Sequence, residues 1–324
     1  MTLTTPEAPE GKLFQLPVPP TSPSGSAWWG VPVQLGERGV LRGGRWLWMR
    51  TLGWLVLLVF LSAAAFGVPL QAAVDLLPPD SEALELVGLL VACVAALGCY
   101  AIAVRLGEGR GARELALRPA LPGLVVGAVL GLLMMTALMA VMVVTGLYDV
   151  TVVGAAPAWD GLGLGLQAAV TEELWMRALL LRLLWRVVGP VPAFAVAALV
   201  FGAMHLVNPE ATPLAGLTVA AAGLMFCGLY ALTGRLWVPI GLHLAWNFSQ
   251  GYVYGVAVSG GDLGDSIAVS TARPGAQAWL TGGAFGPEAS VFALVLVGSV
   301  AVGSLVLAHR AGRFAGRPHA SRPA

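Results

Sequence analysis

Charge is what this chain has least of: 11% of its 324 residues are Asp, Glu, Lys or Arg, where a soluble domain carries roughly a quarter. With 57% hydrophobic residues and a mean hydropathy of +0.81, that deficit excludes an ordinary soluble globule. A net charge of +1 gives no basis for nucleic-acid binding. Cysteine is also scarce. Cys93, Cys99 and Cys227 all fall in apolar runs, which excludes a disulfide framework and a thiolate metal site. No HExxH motif is present, and no segment alternates with period 2, so a transmembrane barrel is not indicated. Internal repeats are lacking too, which argues against a transporter built from inverted halves. The first apolar run begins too far from Met1 for an ordinary cleaved signal peptide.

What is present is a series of apolar runs near the ~20 residues needed to cross a bilayer. They predict helices over 46–69, 84–105, 120–147, 161–187, 190–207, 214–234, 236–257 and 289–309. The fold class expected is all-α: a polytopic membrane helix bundle of about eight transmembrane helices. The arginines fall before the first run, between the second and third, at the end of the fourth, between the sixth and seventh, and after the eighth. The intervening segments carry Asp75, Asp80, Glu82, Asp149, Asp160, Glu210, Asp262, Asp265 and Glu288, with Arg273 their one basic residue. The positive-inside rule makes the arginine side, and both termini, cytoplasmic. The reading is therefore a multi-pass protein of a prokaryotic plasma membrane.

Residues 1–40, rich in Pro and Ser, are expected to be a disordered cytoplasmic tail. Residues 41–312 form the transmembrane domain, with a core over about 160–255, and 313–324 a basic tail. Trp28, Trp29, Trp46 and Trp48 are placed to anchor an interfacial segment. The Gly-rich 258–288 stretch reads as a flexible external loop.

Five ionisable residues lie inside the apolar runs: Glu172, Glu173, Arg177, His205 and His243. Such groups are costly in hydrocarbon and persist where they pair or line a wet cavity, so they are functional-site candidates by default. In the fourth run, Glu173 and Arg177 are four residues apart and form an i,i+4 pair with the acid leading. Glu172 points about 100° away and has no partner on its own helix, the placement of a general base. The fifth run ends Phe201-Gly202-Ala203-Met204-His205, and Gly202 allows close approach by another helix. In the seventh, His243 and Asn247 share a face, and Gly241 leaves room beside them. Asn247 can donate two hydrogen bonds without bearing charge, which suits an oxyanion in a low-dielectric site. Together these residues are expected to form one site, the chain's one strongly polar cluster. Counting along upright helices puts Glu172 and His205 a turn or two deeper than His243 from the arginine side.

The ordered motifs EExxxR, FxxxH and HxxxN on successive membrane helices resemble the CPBP family of intramembrane proteases. That family includes CAAX prenyl endopeptidases of the Ras-converting type and bacteriocin-processing Abi proteins. The resemblance covers about residues 160–255 and departs from the family pattern at Met176 and Ala178, which stand where an aromatic and a glycine are common. It implies intramembrane hydrolysis of a peptide bond in a peptide or lipidated protein substrate, with membrane lipid as the other partner. Glu172 would activate water, His205, His243 and Asn247 would bind the water or the oxyanion, and Glu173 and Arg177 would support them. A glutamate-activated water without a cofactor is the favoured chemistry. If zinc is present, its ligands would be Glu172, His205 and His243. A polar cavity opening toward the cytoplasmic, arginine-rich ends is expected. The competing readings are a non-catalytic immunity or partner-binding protein on the same scaffold, and a proton-coupled transporter.

Overall fold

The computed structural model describes residues 30–78, 81–154, 157–262 and 264–314. Eight helical rods follow the eight apolar runs. The first three are α1 (Leu47–Leu76), α2 (Glu82–Glu108) and α3 (Ala120–Val144). The fourth rod starts as α4 (Trp159–Glu173), passes into π winding over Leu174–Leu181 and ends as α5 (Arg182–Val188). Next come α6 (Pro190–His205), α7 (Pro213–Thr233) and α8 (Trp237–Phe248), the last continued by a π turn over Ser249–Val253. After a short α9 (Ala278–Thr281), α10 (Val291–Arg310) closes the bundle. Among the described residues, α1, α2, α3, α7 and α10 are long and apolar enough to cross a membrane. The other three rods are shorter or broken by π winding and carry the polar motifs. The whole is an all-α membrane helix bundle.

Local chemistry sets the ends of these rods. The Thr212 hydroxyl accepts from the Ala215 N–H while Pro213 opens α7, and Ser290 caps α10 through the Ala293 N–H. In lipid every backbone group needs a partner, and hydroxyls within the rods bond back to the preceding turn, as Ser62 does to the Leu58 carbonyl. The two glycines singled out by sequence mark close helix contacts. A Cβ on Gly202 of α6 would sit 2.4 Å from the Gly216 carbonyl oxygen of α7. One on Gly241 of α8 would sit 2.3 Å from the Leu124 carbonyl oxygen of α3. Neither site tolerates a side chain without separating the helices.

Three expectations need revision. The 258–288 stretch, read as a flexible loop, carries regular structure: β2 (Ala268–Ala272) pairs antiparallel with β1 (Tyr148–Val152) in the segment after α3. Two short strands thus satisfy each other's backbone, and the Tyr148 hydroxyl donates to the Thr281 carbonyl. Residues 1–29 of the expected tail, including Trp28 and Trp29, lie outside the described residues. Residues 30–41 run along the arginine-rich end of the bundle, where the Val31 N–H donates to the Thr233 carbonyl and Leu41 is wholly buried.

The EExxxR, FxxxH and HxxxN motifs are also not the sole polar cluster. Arg182 of α5, fully buried, holds the Glu108 carboxylate with two bonds of 2.7 and 2.9 Å. Arg110 bonds Glu108 at 2.7 Å and Glu114 at 2.8 Å, and Trp54 and Tyr100 donate to the same two acids. These charges sit at helix ends and in a connection, so sequence assigns them to solvated edges. The ends fold inward, and each charge survives burial because it is paired and hydrogen-bonded.

Candidate active site

The fourth rod turns from α to π winding directly after Glu173, and such winding occurs often at functional positions. Arg177 Nε lies 3.1 Å from Glu173 Oε2, the i,i+4 pair expected, and both residues are buried. The guanidinium is sandwiched between Phe201 of α6 and Phe226 of α7, 4.6 and 4.7 Å from the ring centroids. It also donates to the Gly223 carbonyl at 3.3 Å. Two aromatic faces and a carboxylate replace the hydration that burial removes.

Glu173 has a second task that the sequence did not reveal. Its Oε1 lies 3.0 Å from Nδ1 of His243, across from α4 to α8. The His243 ring stacks on Phe226 at 5.1 Å between centroids. His205 is fixed similarly: its Nδ1 donates to the Phe201 carbonyl at 2.9 Å, and its ring packs edge-on against Phe201. An acceptor at Nδ1 keeps a proton there and leaves Nε2 for chemistry. Both Nε2 atoms face the same oxygen: Glu172 Oε2 is 3.9 Å from His205 and 3.9 Å from His243.

Exposure separates the two acids. The Glu172 side chain is 27% exposed, although its Oε2 is covered, and that of Glu173 is 0%. The depth offset counted along upright helices does not keep the groups apart, since rods in a bundle tilt.

Asn247 lies one turn beyond His243 on α8. Among the described residues nothing hydrogen-bonds its carboxamide, which faces a cavity of about 50 Å³. His205, His243, Trp246, Ser259 and Glu288 line the same space. The cavity thus extends toward the 258–288 segment and away from Arg182, Arg186 and Arg235, opposite to the direction expected. His205 explains this: it is the last residue of α6, a full rod away from the arginine end where that helix begins.

All six motif residues are therefore brought together, five through direct contacts and Asn247 through the shared cavity. Sequence reasoning missed Phe226, Trp246, Ser259 and Glu288. Phe226 is one aromatic among many apolar residues. Trp246 stands inside the HxxxN motif, the one signal that could have found it.

Two imidazoles and a carboxylate are a donor set that zinc accepts. At 3.9 Å between oxygen and each nitrogen, a metal at ~2.1 Å from all would subtend about 140°, far from tetrahedral ~109°. No group of three His, Cys, Asp or Glu among the described residues is arranged to hold a metal ion.

Comparison with known protein families gives a match to part of the chain. Residues 154–249 fit the family model described as Rce1-like, type II CAAX prenyl endopeptidase, a stretch that runs from just before α4 into the π turn after α8. No curated protein and no solved structure matches the chain. Those residues hold all three motifs, and their similarity to the Rce1-like endopeptidases supports a place for this chain in the CPBP family of intramembrane proteases.

Proposed function

We propose that this protein is an intramembrane endopeptidase that hydrolyses a peptide bond of a membrane-associated substrate of the CAAX type. One observation carries the reading: the Nε2 atoms of His205 and His243 face a single oxygen of the partly exposed Glu172, at 3.9 Å each. One water at ordinary hydrogen-bond distance, ~2.9 Å, would bridge all three atoms once the side chains part to admit it, because Glu172 Oε2 is itself covered and lacks a hydrogen-bond partner.

In this scheme the water gives one hydrogen bond to His205 Nε2 and its other proton to Glu172. The hydroxide attacks the scissile carbonyl carbon. Asn247 donates to the developing oxyanion, and His243 does so through Nε2 in a ring protonated on both nitrogens throughout the cycle, with Glu173 behind Nδ1 offsetting the ring charge. Collapse breaks the C–N bond, and Glu172 returns its proton to the leaving amine. The new carboxyl group gives up its remaining proton to the amine, so the products are a carboxylate and an ammonium, and Glu172 is again a carboxylate. No metal enters any step, and activity is expected to survive chelators.

The test compares membrane-associated peptides, by mass spectrometry, from cells carrying the wild type or Glu172→Ala at equal abundance. A C-terminally shortened product confined to the wild type is expected. Identical peptide sets would overturn the proposal.

A further inference from the structure

Glu288 belongs to none of the three motifs, and by sequence it is one more acid before the last apolar run. It sits in the turn Pro287–Ala289 that leads into α10, and it is buried. Its Oε1 accepts from the backbone N–H of Ser259 at 2.6 Å and from the Ser259 hydroxyl at 2.8 Å. Its Oε2 accepts from the Trp246 indole at 3.1 Å. Trp246 immediately precedes Asn247 on α8, and these four residues line the cavity shared with both histidines.

The segment that Glu288 grips would not hold its shape unaided. Ser259 has φ +49°, a left-handed conformation unfavourable to a residue with a Cβ. Its carbonyl accepts from Asn208 Nδ2 at 3.2 Å, and the next N–H, of Gly260, donates to the Phe285 carbonyl at 2.9 Å. Gly260 touches Pro209 so closely that a Cβ would fall 2.0 Å from its carbonyl oxygen. Three segments meet here, following α6, following α8 and preceding α10. They form a cap over the His205 end of the cavity, and the Glu288 carboxylate ties that cap to α8.

We infer that Glu288 is a positioning residue for hydrolysis: through Trp246 it fixes the carboxamide of Asn247, and through Ser259 it holds the cap closed over the reacting groups. This rests on the peptidase reading above. Removing the carboxylate leaves three donors without their acceptor, and the groups that carried them shift to find others.

The experiment uses full-length protein in nanodiscs and a quenched, prenylated CAAX-type peptide, with hydrogen–deuterium exchange as a readout that needs no substrate. Glu288→Gln keeps an oxygen for the two Ser259 donors but turns an N–H₂ toward the Trp246 N–H. Trp246→Phe removes that indole donor alone, and Glu288→Ala removes both arms. Glu288→Gln and Trp246→Phe are each expected to lower kcat ~10–100-fold with KM within about threefold of wild type. The double variant falls no further than either single one, because both break the same link. Exchange over 256–261 stays at wild-type level in Glu288→Gln and rises about tenfold in Glu288→Ala, with α3 and α7 unchanged. Independent, multiplying losses, or kcat within about threefold of wild type in both single variants, would overturn the inference. If the wild type cleaves nothing, the peptidase reading falls by itself. The exchange data then decide the clamp, which an unchanged 256–261 segment in Glu288→Ala overturns.

Discussion

Glu172 and Glu173 are the same acid at adjacent positions, and their surroundings assign them different work. Glu173 is sealed in, paired with Arg177 and bonded to His243 Nδ1. Removing its charge strands a guanidinium in a dry site, and breaking such a buried pair costs about 3–5 kcal/mol. Glu172 is partly exposed and pairs with no buried guanidinium. Glu172→Gln should therefore unfold at the wild-type temperature while losing ~10²–10⁴-fold in cleavage rate. Glu173→Gln should unfold well below the wild type and lose activity as well. Thermal unfolding in detergent beside a cleavage assay separates the two, and equal midpoints for both variants would contradict the division of labour. The i,i+4 pair was legible because it lies within one helix, whose geometry the spacing fixes. The bond from Glu173 to His243 spans 70 residues and depends on how two rods pack, which no local spacing encodes.

At the scale of elements, the eight apolar runs foretold the eight rods, because hydrocarbon forces the backbone to satisfy itself along the chain. What lies between and at the ends of the rods was less legible. β1 and β2 pair across more than a hundred residues, and their short sequences carry no alternation strong enough to announce a sheet. The Glu108, Arg110, Glu114 and Arg182 cluster was hidden for another reason: a charge at a helix end reads as solvated until the partner that buries it is known. Burial alone would raise the Glu114 carboxyl, but the bonds and charge of Arg110 outweigh it and hold the group below the ordinary carboxylate range. A depressed folded-state pKa contributes stability above the unfolded carboxylate value, and that contribution is lost as pH falls through the folded value. Arg110→Met is thus expected to be less stable than wild type at neutral pH, with the gap closing below about pH 4. Unfolding midpoints in detergent from neutral to acid pH test this, and a gap that persists undiminished in acid would rule it out.

For the whole molecule, two observations predict which compartment the cavity faces. The arginines gather where α2 ends, α5 ends and α8 begins, and the positive-inside rule assigns that face to the cytoplasm. The cavity lies at the other end, against Ser259 and Glu288, in the segment whose β2 pairs with β1. If the rule holds, substrate reaches the motif residues from the non-cytoplasmic half of the bilayer. Cysteine labelling in intact cells decides the matter, since Cys93 and Cys227 are buried and Cys99 is largely covered. Gly111, exposed with open space around it, reports the arginine face, and Thr151, exposed on β1, reports the cavity face. Thr151→Cys should react with a membrane-impermeant maleimide added outside, and Gly111→Cys only after permeabilisation. The reverse pattern would turn the bundle over and aim the cavity at the cytoplasm, because the arginine-rich and cap-bearing faces lie at opposite ends of the same rods and cannot share a compartment.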